Sequence, residues 1–161
     1  AEMTALADEA IRAVRRVATN LRPGVLDDLG LPAALEWQVH EFSRRSGIPA
    51  DLRIDCDERG LSPQLSIALF RILQEALTNV ARHARASTVK ASLRSEDMAL
   101  VLEVSDDGCG VDAAAIASPQ SIGLTGMRER AEIVGGTFSI HGSAAGTTVQ
   151  VRVPLPVVAT P

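Results

Sequence analysis

The segment SPQLSIALFRILQEALTNVARHA, residues 62–84, restricts the fold of this chain more than any other. Leu65, Leu69, Ile72, Leu73, Ala76 and Val80 recur at spacings of three and four, which is one apolar side of a long helix. Ser62 stands where an N-cap belongs, and Pro63 fits a first helical position, where its missing N–H costs no bond. A helix of this kind must lay its apolar side on a second layer, and the flanking segments read as strands able to supply one. DLRIDC (51–56) alternates with period two. TVKASLRS (88–95) and ALVLEVS (99–105) form a hairpin around the polar turn EDM, and TFSIHG and TTVQVRVPLP form another around SAAG. TGMRERAEIVGG supplies a short helix stopped by Gly135 and Gly136, whereas VDAAAIASPQSIG (111–123), small and without periodicity, reads as a mobile loop. The fold class is therefore α+β, a two-layer sandwich of a mixed sheet with helices over one face.

Upstream, Leu6, Ala10, Val14, Val17 and Leu21 draw a narrow apolar stripe along a helical segment. The stripe suits packing against another helix, as in the second half of a helical hairpin. Pro23 and Gly24 break it, and a second helix is predicted from Pro32 to about Ser46, closed by Gly47 and Pro49. The division is then residues 1–28 as remnant helix and linker, and 29–161 as the globular domain. A net charge of −4 gives no basic footprint, so no nucleic acid partner is expected. Cys56 and Cys109 lack metal-ligand spacing, and no signal peptide is evident, which points to a reduced cytoplasmic setting. No apolar run approaches the roughly 20 residues that span a bilayer. No membrane contact is expected from this stretch, and any anchor of a longer protein would lie elsewhere.

Glu75, Asn79 and His83 fall four residues apart along the border of the apolar side, where polar groups lose water and need partners. Arg71, Gln74 and Thr78 are expected on the far, solvated side. The line has two readings: hydrogen bonds to nearby loop backbone, or a ligand site. An Asn carboxamide oxygen suits Mg²⁺, which takes few protein ligands alongside phosphate oxygens. In EVSDDGCGVD (103–112), Asp106 follows a strand, and its carboxylate accepts hydrogen bonds as an adenine amine requires. Gly108 and Gly110 would let backbone approach a flat base. GLTGM (123–127) leads a helix, whose free N–H groups suit an anionic phosphate chain. A P-loop is excluded, since no GxxxxGK[ST] occurs.

EALTNVARHA, DDGCG, GLTGMRERAEIVGG and GTTVQVRVPLP, in that order, resemble the Bergerat-fold ATPase domain shared by DNA gyrase, Hsp90, MutL and two-component histidine kinases. NLRPGVLDDLGLPAALEWQVHEFSRRSGI is similar to the link between dimerisation helices and catalytic domain in sensor kinases of the NarL-partner type. The resemblance implies ATP and Mg²⁺ as cofactors. Asn79 would hold Mg²⁺ bridging the phosphates, with Glu75 in the metal and water shell. Asp106 would accept from the adenine amine, and Gly108 and Gly110 would shape the pocket around it. Gly123 and Gly126 would line the phosphates, with Leu124 and Met127 of the same box in the cofactor site, and Thr147 would back the adenine. His83 either contacts phosphates and fixes the lid or makes a structural hydrogen bond.

The resemblance also implies a protein histidine kinase, homodimeric at full length, that phosphorylates a dimerisation-helix histidine for relay to a response regulator of the NarL type. None of His40, His83 and His141 stands in the acceptor context of such kinases. The acceptor helix is thus expected outside this chain, with His40 structural and His141 at a strand end. The rival readings are a serine kinase of the anti-sigma type or an ATPase clamp with the same fold, and a non-catalytic nucleotide-binding module. Asp27 and Asp28 read as cap and turn residues, Arg128 and Arg130 as a solvated face, and Cys109 as the variable position of its box.

Overall fold

The computed structural model describes residues 24–57, 61–118 and 121–155. The predicted helix over residues 1–21 lies outside them. Helix α1, Gly24–Ser46, spans the boundary drawn after residue 28 and is interrupted at Gly30 (φ 80, ψ 174), a conformation open to glycine. Pro32 then sits just past the break, as predicted for a helix start. Leu31, Ala34, Leu35, Val39 and Phe42 are buried at spacings of three and four. The helix stops at Gly47, whose φ of 74 is the left-handed turn that ends many helices.

Strand β1, Ala50–Asp55, leads to α2, Pro63–Asn79. Ser62 caps α2 as predicted, its Oγ accepting from the Leu65 N–H at 3.1 Å. All six apolar positions named for this helix are buried, and Ala68, Phe70 and Leu77 join them. The regular helix does not reach residue 84: Val80–Ala84 is one wider π turn, ending at Arg85 in the left-handed region. The far side of α2 is also covered. Gln74 Nε2 donates to Gln38 Oε1 of α1 at 3.0 Å, Arg71 Nη1 donates to Gln74 Oε1 at 2.7 Å, and Thr78 bonds back to the Gln74 carbonyl. Arg71, Gln74 and Thr78 therefore lie along a helix–helix seam rather than on an open face, because α1 needs a place to bury its own stripe.

The remaining strands are β2 (Val89–Glu96), β3 (Ala99–Asp106), β4 (Thr137–Ser143) and β5 (Gly146–Pro154), in a five-stranded sheet ordered β1-β2-β3-β5-β4. β1 and β2 are parallel, joined through α2, and every other pair is antiparallel. Val89, Ala91 and Leu93 of β2, Leu100, Leu102 and Val104 of β3, and Val149, Val151 and Val153 of β5 are buried in the same core as α2. Between β3 and β4 lie α3 (Ala113–Ala117) and α4 (Ile122–Ile133). The stretch read as a loop thus contains a helical turn. Asp112 Oδ1 caps it by accepting from the Ala115 N–H at 2.6 Å, and alanine is the best helix former.

Candidate functional site

One cavity of about 580 Å³ opens where α2, its π turn, the end of β3, the start of α4 and β5 converge. Glu75, Asn79, Arg82 and His83 line it from the helix side, Asp106 and Thr147 from adjacent strands, and Gly110 from the loop after β3. Gly123 and Leu124 line it from α4, and Ala76, Val104, Ile140 and Val149 supply apolar wall.

Asp106 is the last residue of β3, beside Thr147 at the start of β5. Its Oδ1 accepts from the Gly108 N–H at 2.8 Å and lies 3.4 Å from the Thr147 N–H. These contacts fix the carboxylate plane, and Oδ2 has no hydrogen bond among the described residues. Asp107 has a separate task. Its Oδ1 accepts from the N–H groups of Thr88 (2.8 Å) and Ser87 (2.7 Å), tying the loop to the start of β2. Those two bonds, Thr88 first, hold its carboxyl below the usual range.

The glycines of DDGCG serve a different contact from the one expected. A Cβ on Gly108 would meet the Ala84 carbonyl, and one on Gly110 (φ +76) would meet the Ser143 carbonyl. The loop is clamped between the π turn and the β4–β5 hairpin, and the Cys109 N–H donates to the Ala84 carbonyl at 2.7 Å. Gly142 meets Val111 and Gly146 meets the Asp106 carbonyl in the same way. Room for backbone, more than room for a base, is what these positions require. Gly110 does line the cavity, whereas Gly108 does not.

Neither Asn79, Glu75 nor His83 has a side-chain hydrogen bond among the described residues, so the loop-backbone reading of the polar line has no bond behind it. The π turn shifts His83 off the regular four-residue line but keeps it on the cavity. A Cβ on Gly123 would strike Oε1 of Glu75, so the start of α4 rests against that carboxylate. Gly126 lies outside the lining, and Met127 is fully buried in the core. Arg82 and Asp112 line the cavity and were not singled out by the sequence reading, nor was Gly146, which packs on the Asp106 carbonyl without lining it. Arg82 could have been found as the cation beside His83, and Gly146 as the first residue of GTT.

Among the described residues no group of three or more His, Cys, Asp or Glu is placed to hold a metal ion. The cavity offers instead a carboxamide and a carboxylate one helical turn apart, Asn79 and Glu75. That donor set fits a hard cation sharing its coordination with phosphate oxygens. Among those residues no helix is long and apolar enough to cross a membrane.

Residues 64–157 match the family described as histidine kinase-, DNA gyrase B-, and HSP90-like ATPase. The chain is 39% identical over 147 residues to the sensor histidine kinase MctS of Rhizobium johnstonii, covering 90% of this chain and 32% of that protein. It is 41% identical over 143 residues to the signal transduction histidine-protein kinase/phosphatase UhpB of Salmonella typhimurium, covering 88% of this chain and 28% of that one. It thus spans about a third of these relatives. The ATP-binding domain of PrrB from Mycobacterium tuberculosis superposes with a TM-score of 0.60 at 23% identity, over 76% of this chain and 92% of the other, a likeness of fold.

Proposed function

The chain belongs to the histidine kinase-, DNA gyrase B-, and HSP90-like ATPase family, and from that membership we propose that it is the ATP-binding catalytic part of a sensor histidine kinase. It would deliver the γ-phosphoryl group of Mg-ATP to a histidine other than His40, His83 or His141, for relay to a response regulator of the NarL type. The division into a linker before residue 29 and a catalytic domain after it, and a homodimer at full length, belong to the same reading. What carries it is that Asp106 and Asn79 face one cavity of nucleotide size.

The purine enters beside the end of β3, where its amine donates to the free Oδ2 of Asp106 and Thr147 stands behind. Asn79 and Glu75 are the residues to hold Mg²⁺, which supplies charge neutralisation at the phosphates. Arg82 adds a guanidinium and His83 an imidazole to the cavity wall. Gly123 and Leu124 bring the start of α4, with its unpaired N–H groups, to the phosphate chain. Transfer then needs mainly position: the γ-phosphorus–oxygen bond breaks as an imidazole nitrogen attacks, and ADP leaves with the bridging oxygen.

Isothermal calorimetry with Mg-ATP tests the binding step. Asp106→Asn places an amide donor or a fixed carbonyl where the carboxylate had a free acceptor. Affinity should fall by roughly ten-fold or more, the size of one lost hydrogen bond to a charged group. Unchanged affinity removes the adenine assignment. Mixing the chain with labelled ATP and a polypeptide bearing an acceptor helix tests the second step. Label on histidine supports the kinase reading, and label on serine moves it to the anti-sigma class.

A further inference from the structure

Three carboxylates line the cavity, those of Asp106, Asp112 and Glu75. Asp106 accepts from the Gly108 N–H and Asp112 from the Ala115 N–H. Glu75 has neither a hydrogen bond nor an ion pair among the described residues, although Arg82 and His83 line the same cavity. It is packed all the same. A Cβ on Gly123 would strike Glu75 Oε1 and lie 3.2 Å from its Cδ, so the half-buried carboxylate stands against the first turn of α4 in room that a glycine leaves. The Ser121 side chain does not cap that helix. The positive end of α4 is what makes an unpaired carboxylate tolerable there.

The turn that carries Glu75 on its surface is also the turn offered to phosphates. The loop after Asp106 is bonded to the π turn, with the Cys109 N–H donating to the Ala84 carbonyl at 2.7 Å. Glu75 lies nine residues back along the same helix, about 13 Å away. A purine at Asp106 therefore directs its phosphate chain past Asn79 toward Glu75 and the start of α4. A bare polyphosphate arriving there meets a like charge standing on the N–H groups it would use, and in a part-buried cavity that repulsion is poorly screened. A nucleotide that brings a divalent cation meets a hard oxygen ligand instead. We propose that Glu75 is a specificity-determining residue, a charge gate that turns away metal-free nucleotide in favour of the cation complex. The inference rests on the nucleotide-site reading above and deepens it: besides offering an oxygen to the cation, Glu75 penalises a nucleotide that lacks one. Gly123 serves the gate by letting the carboxylate stand on α4.

Calorimetry on the full chain compares wild type with Glu75→Gln, which keeps the shape and removes the charge. Three ligands are used: ADP with excess Mg²⁺, ADP with a chelator, and adenosine. In Glu75→Gln the affinity for metal-free ADP should rise by roughly ten-fold, while that for Mg-ADP holds or falls. Adenosine has no phosphate and should bind both proteins alike. A residue that merely ligates the cation would lower Mg-ADP affinity and leave the metal-free value where it was, so the gain with the chelator is the distinguishing result. Thermal unfolding without nucleotide establishes that the variant is folded, and Glu75→Ala takes its place where it is not. Metal-free ADP bound no more tightly by the folded variant, or adenosine gaining by the same factor, overturns the gate and leaves the nucleotide site standing. Wild type that binds none of the three ligands is a different result, which removes the nucleotide reading and the gate with it.

Discussion

Gly110 and Gly24 are both glycines, but only one of them needs to be. Gly110 has φ +76, and a Cβ would run into the Ser143 backbone, whereas among the described residues nothing lies within 4 Å of a Cβ on Gly24. Gly110→Ala should destabilise the chain by about 2 kcal/mol or more, since left-handed backbone alone costs an alanine roughly 1–2 kcal/mol. Gly24→Ala should be neutral or slightly stabilising, and urea titration of the two variants separates them. Asp107 makes a prediction with a sign. Its folded pKa is depressed by the Thr88 and Ser87 N–H groups, so its contribution is complete above the ordinary carboxylate range and lost as pH falls through the lowered folded value. Wild type should exceed Asp107→Ala in stability at neutral pH, and the gap should narrow once acid protonates the carboxyl. A gap that stays constant down to strongly acidic pH removes the linkage.

The β2–β3 turn shows how an element can settle for less than its best sequence. Asp97 (φ 48) and Met98 (φ 59) both lie in the left-handed region, as a two-residue type I′ hairpin requires, and glycine is the residue favoured second in such a turn. Met98→Gly should raise stability by about 1 kcal/mol, read as a higher denaturant midpoint with unchanged slope. The hairpin itself was legible from EDM between two alternating runs. Strands and helices declared themselves where burial has a period, which is why Leu65, Leu69, Ile72, Leu73 and Ala76 of α2 were readable. The π turn was not, because Val80–Ala84 continues the apolar spacing of a regular helix while its backbone widens. The roles of Gly108 and Gly142 were hidden for a related reason. They answer to carbonyls of Ala84 and Val111, partners far away in sequence or paired only once the loop folds back.

At the scale of the whole molecule the cavity is assembled from segments that meet only in the folded sheet–helix sandwich: residues 75–84, 104–112, 115, 121–124, 140 and 147–149. Asp106, Asn79 and Thr147 could be named from the sequence because family motifs mark them, whereas the contact of Gly123 with the Glu75 carboxylate depends on how α2 and α4 pack. A ligand that bridges these segments binds the folded chain alone, so its binding energy adds to folding. At a nucleotide concentration about 100 times Kd the addition is about 2.7 kcal/mol. For a domain of this size that raises Tm by roughly 5–10 °C. Mg-ATP should produce this shift in wild type and about half of it or less in Asp106→Asn, as a ten-fold or greater loss of affinity requires, with Asn79→Ala weakening the shift most when Mg²⁺ is present. If Asn79→Ala instead responds identically with Mg²⁺ and with a chelator, its carboxamide does not serve the cation. The polar line on α2 would then have to be explained by contacts with the phosphates themselves.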